Sequence, residues 1–202
     1  MGSPECNLLR GPVGMSSIID SVGARAFHDR LNVVHEFGHS IALLTLHGDL
    51  EFIAIGARSD ELYCETTRSR LTKGVALAGL AAAQGRLGAF ACPDNRQSLL
   101  ALPADGLYAE IAAIIPKYPS CVGDLEMFRD APSHPKDAQA VHAAWSLGVA
   151  LATEQADSFL SDAYLALKVA PGHLGIRFDR AFVARFFAGE TEVPMLSLEA
   201  TY

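Results

Sequence analysis

No stretch of this sequence is basic enough to face a phosphate backbone. Lys and Arg number 16 against 23 Asp and Glu, a net charge of −7 in 202 residues. They form no cluster and no aromatic-rich basic stripe, so no nucleic-acid partner is expected. Long hydrophobic runs are missing too. The apolar stretch 74–85 is too short and too rich in Gly and Ala to cross a bilayer, and no membrane insertion is expected. Residues 1–10 contain Pro4 and Glu5 and lack a basic start followed by an apolar core, so they do not read as a secretory signal. The four cysteines, Cys6, Cys64, Cys92 and Cys121, form no Cys-x-x-Cys pair. That spacing predicts buried thiols in a reducing cytoplasm rather than a disulfide frame or a thiolate metal site. Neither Gly-x-x-x-x-Gly-Lys-Ser/Thr nor a Gly-x-Gly-x-x-Gly after a strand occurs, which excludes the common phosphate loops.

Proline is absent from 14 to 92, and within that span lies Val34-His35-Glu36-Phe37-Gly38-His39-Ser40-Ile41. On a helix the two histidines of His-Glu-x-x-His stand one turn apart on one face. Two imidazoles so placed suit Zn2+, which favours nitrogen and sulfur donors. Glu36 sits beside the first ligand, placed to accept a proton from an attacking water rather than to bind the metal. The apolar flank of Leu31, Val34, Ile41 and Leu44 predicts a helix here, spanning about 21–46. Gly48 should end it, with His47 favourably placed against the negative helix end.

The remaining pattern predicts a mainly α (α+β) domain, with a small β-hairpin beside the motif-bearing helix. Residues 50–55 and 62–67 are β-prone and flank a polar turn at 56–61. A free strand edge there could pair with an extended peptide. Residues 71–90, dense in Ala and Gly, predict a buried helix packed on the first. Then follow a polar connection at 93–103, a helix at 107–115 stopped by Pro116, and a helix carrying Asp124 to Arg129 that Ser120 or Gly123 could cap. One long helix is expected over 136–169, with Val141, Trp145, Leu147, Val149, Phe159 and Leu160 in its core face. A last helix is expected over 179–187. Residues 1–15 read as a loose arm, 16–190 as one domain and 191–202 as an exposed tail.

A catalytic zinc normally takes three protein ligands and one water. The extended motif His-Glu-x-x-His-x-x-Gly-x-x-His is excluded, because Ala42 and Thr45 stand where it needs Gly and His. His134, His142, His173 and many carboxylates stay open as the third ligand on chemistry alone. Tyr63, Tyr118 and His134 can each donate a hydrogen bond to an oxyanion, and nothing in the sequence selects among them.

The order of these features resembles the protease domain of FtsH-type ATP-dependent zinc metalloproteases. In that family a His-Glu-Ala-Gly-His-Ala helix is followed by a short sheet, a small-residue helix with a Gly-Arg-Ala-Ala-Glu signature, and an Asp-Leu pair opening a later helix. Here Ala78-Gly79-Leu80-Ala81-Ala82 and Gly123-Asp124-Leu125-Glu126 occupy the second and last places. Phe37, Leu80 and Ala83 depart from the family pattern. The resemblance implies that His35, His39 and Asp124 bind zinc, that Glu36 is the general base, and that Gly38 allows close packing beneath the site. It implies a freestanding metallopeptidase domain acting on unfolded or flexible polypeptides, working alone, as a homo-oligomer or beside a separate ATPase. A catalytically silent zinc-binding domain of the same kind, acting as an adaptor or as a subunit of a separate ATPase, is the alternative.

Overall fold

The computed structural model describes the backbone of residues 21–48, 53–58, 61–64, 68–169, 174–177 and 197–200, and the side chains of 25–48 and 69–165. Helix α1 spans Ser21–His47, one residue beyond the expected end. Gly48, at φ 63°, closes it by donating its N–H to the Leu44 carbonyl, and His47 Nε2 lies 3.2 Å from the Arg70 carbonyl. A left-handed residue at this position is most cheaply a glycine.

Helix α2, Lys73–Ala91, is the central element. Fifteen of its residues are buried, so it has no solvent face, as its run of small apolar residues predicts. It packs against α1, α4 (Ala104–Ile114), α5 (Val122–Asp130) and α6 (Asp137–Ala150), and touches the short helix α3 (Arg96–Leu100). Val33, Phe37, Ile41, Leu77, Leu80, Ile111, Val141 and Trp145 join one core across these helices. Phe37, where the resembled family carries a small residue, is fully buried and meets the Phe159 ring at 6.3 Å. No single described helix is long and apolar enough to cross a membrane; α2 passes such a test only together with the turn and helix 93–100, bent from it by 117°, and it is the core of this fold.

Every described strand lies where only the backbone is described. β1 (Ile53–Arg58) pairs antiparallel with β2 (Glu61–Cys64) and with β3 (Leu174–Arg177), which pairs with β4 (Ser197–Ala200). The order is β2-β1-β3-β4. Gly56 and Arg58, expected in a turn, sit in register with Tyr63 and Glu61.

Several expectations are corrected. The single helix over 136–169 is two, α6 and α7 (Glu154–Val169). The carbonyls that end α6 find partners outside it. Arg96 donates to the Val149 carbonyl at 2.6 Å, Arg86 donates to that of Leu151, and Thr153 caps α7 by accepting from the Ala156 N–H. Residues 93–103 are not a plain connection: α3 forms there, anchored by buried Leu99, whose carbonyl accepts from Trp145 Nε1 at 2.9 Å. The expected tail is a strand at 197–200, where β3 supplies main-chain partners. Cys92 is disulfide-bonded, which overturns the expectation of thiols throughout and removes the support it lent to a reducing compartment. Cys121 is a buried free thiol. The arm at 1–15 and the helix at 179–187 lie outside the described residues.

Candidate metal centre

α1 and α2 run antiparallel, so the two histidines of α1 face the first turns of α2. Contact between them is close because the residues that meet are nearly side-chain-free. A Cβ on Gly38 would strike the Ala78 carbonyl and the Ala82 side chain, which is the close packing expected of it. A Cβ on Gly79 would fall 2.5 Å from His35 Nε2 and 2.6 Å from His39 Nε2. Gly79 is therefore the floor on which both imidazoles rest. In the sequence it is one of a run of small residues, with nothing to set it apart.

α5 closes the third side. A tight turn at Pro119–Cys121 leads into its first turn, where Asp124 is 7% exposed. Asp124 Oδ2 stands 2.9 Å from His35 Nε2 and Oδ1 stands 3.4 Å from His39 Nε2, and the two ring nitrogens are 3.1 Å apart. One donor atom from each residue lies within 4.8 Å of the others, and among the described residues this is the group arranged to hold a metal. His39 is oriented from behind, its Nδ1 2.8 Å from the Val75 carbonyl. A carbonyl can only accept, so Nδ1 carries the proton and Nε2 is left to bind.

The donor set fits zinc: two imidazole nitrogens and a carboxylate. Asp124 Oδ2 is buried without a hydrogen-bond partner among the described residues, despite its short approach to His35. A buried acceptor left so is costly, and a cation would relieve it. Electrostatics agree. Burial opposes charge on His39, yet Asp124, Glu36 and the Val75 carbonyl outweigh it and raise its pKa to about 9. Burial likewise opposes charge on Asp124, but the two histidines hold its carboxyl well below the usual carboxylate range. The pocket favours an anion beside cationic charge, which a proton provides in the absence of a metal.

Glu36 is 8% exposed and near enough for its charge to act on both His39 and Cys121. The His35 side chain is 18% exposed against 7% for His39, so solvent reaches the cluster from the His35 side. Burial, with Asp124 and Glu36 nearby, pushes the Cys121 thiol up to about 11, which keeps it neutral beside the cluster.

Other sequence candidates go elsewhere. His134 lies in the turn before α6, its N–H donating to Asp137 and its Nδ1 accepting from the Lys136 N–H. Tyr118 accepts a hydrogen bond from Gln84 at 3.0 Å, and His47, in the last turn of α1, meets the Arg70 carbonyl away from the cluster. His142 on α6 is outside the cluster. His173 and the Tyr63 side chain lie outside the described residues. No family model, no curated protein and no solved structure matches this chain.

Proposed function

We propose that the chain is a zinc-dependent endopeptidase domain of the FtsH-type kind, hydrolysing peptide bonds in unfolded or flexible polypeptides. The convergence of His35, His39 and Asp124, with Glu36 alongside and one side open to solvent, carries this reading. A purely structural zinc site has no use for a neighbouring base and normally closes its fourth position. Bound zinc supplies Lewis acidity, which acidifies water and polarises a carbonyl. His35, His39 and Asp124 would hold it. Glu36 would take the proton of the attacking water and return it to the leaving amine as the peptide bond breaks.

The sheet supports a polypeptide substrate. β2 ends the strand order and packs against α1, so an extended chain added to its edge would run beside the motif helix. Delivery by a separate ATPase, or assembly of several copies, belongs to the same proposal on the strength of the family resemblance.

The ligand set is tested by the zinc content of dialysed wild type, His35→Ala, His39→Ala and Asp124→Ala. Stoichiometric zinc in wild type alone supports the assignment. Full zinc in Asp124→Ala would remove α5 from the site.

A further inference from the structure

One buried polar chain ends at the proposed centre without belonging to it. Asp137, the first residue of α6, is 5% exposed. Its Oδ1 accepts from the Thr72 hydroxyl at 2.6 Å and its Oδ2 accepts from the His134 N–H at 2.7 Å. Thr72, 6% exposed, is the N-cap of α2 in extended conformation, φ −129° and ψ 170°. Its hydroxyl oxygen accepts from the Val75 N–H at 3.3 Å. Val75 in turn offers its carbonyl to His39 Nδ1. The α2 start is wedged against Asp137 as well: a Cβ on Gly74 would lie 2.6 Å from Asp137 Oδ1.

The direction of each proton follows from the one before it. The Asp137 carboxylate can only accept, so the Thr72 hydroxyl must donate to it. That leaves a hydroxyl lone pair for the Val75 N–H, one of the donors a helix start leaves without an intrahelical partner. Val75 is thereby held at both its N–H and its C=O. We propose, on the zinc reading of the site, that Thr72 and Asp137 are positioning residues, which fix the first turn of α2 so that the Val75 carbonyl holds His39 in its metal-binding tautomer and orientation.

An ordinary helix cap would stabilise the fold and leave metal affinity alone. A positioning residue sets affinity, because groups that orient a ligating histidine typically change it by about 10- to 100-fold. The test is the zinc dissociation constant, by competition with a chromophoric chelator, in wild type, Thr72→Val, Thr72→Ser and Thr153→Ala. Melting of the metal-free proteins is recorded beside it. Thr153→Ala removes the matching cap on α7, remote from α2's first turn, and serves as the stability control. Weakening of about tenfold or more in Thr72→Val, recovery in Thr72→Ser, and an unchanged constant in Thr153→Ala is the expected pattern. Asp137→Asn, which keeps the volume and loses one acceptor, should weaken zinc in the same direction and reports if Thr72→Val does not fold. Zinc binding in Thr72→Val or Asp137→Asn as tight as in Thr153→Ala would overturn the inference while leaving the metal centre standing. Wild type that binds no zinc would overturn both.

Discussion

At the scale of single residues, the centre depends as much on an absent side chain as on those present. Gly79→Ala would drive a methyl group into both imidazoles. Stoichiometric zinc should then be lost, measured by metal analysis after dialysis, and full zinc would contradict this. Gly38→Ala makes its clash against α2 itself, so it should cost stability, about 1–3 kcal/mol by chemical denaturation, as overpacking does. Cys121 is the reactive-residue counterpart. Buried, with its thiol pushed up to about 11, it should resist alkylation at pH 8 in the native protein and react once unfolded. Rapid native alkylation would show that α5 does not seal the site as described. The two histidines were legible in the sequence because helical spacing alone brings i and i+4 together, and Glu36 because it follows the first of them in His-Glu-x-x-His. Asp124 was not, because its approach depends on how α5 docks; only resemblance pointed to it. Gly79 was visible as a small residue, but which helix face it presents is a property of packing.

At the scale of elements, most helix positions followed from apolar periodicity, glycine and proline. The failures share a cause. The break between α6 and α7 has no Pro, and its stop comes from Arg86, Arg96 and Thr153 serving the helix ends. Two of those partners come from α2 and α3, so no local pattern announces them. Arg86 is fully buried, with Asp157 of α7 as its ion-pair partner. Asp157 is 31% exposed and also lies near Arg30, so the loss falls mainly on the Leu151 carbonyl, which would be left without its donor. Arg86→Met should therefore lose about 1–3 kcal/mol in denaturant unfolding. A change below 0.5 kcal/mol, roughly the range of an ordinary surface substitution, would mean Arg86 does not hold α7 to α2. Strand β4 was missed for a related reason: a short polar-apolar segment becomes a strand only when β3 supplies an edge.

For the whole molecule, the site is assembled from α1, α2 and α5, three elements far apart in sequence that meet on one central helix. A metal held by residues of α1 and α5, with α2 as the floor between them, should bind the folded chain alone and so stabilise it. Zinc at a hundredfold over its dissociation constant adds about 2.7 kcal/mol, or about 5–10 °C of melting temperature for a chain of this size. An unchanged melting point with zinc would count against the centre. The reading as a peptidase makes a stricter demand, since Glu36 must be needed for turnover and dispensable for metal. The direct measurement is cleavage of unfolded casein with added zinc, wild type against Glu36→Gln, with zinc content measured in both. Cleavage by wild type and none by Glu36→Gln, with equal zinc, is the expected result. Cleavage retained by purified Glu36→Gln, or zinc bound in both and cleavage by neither, would contradict it.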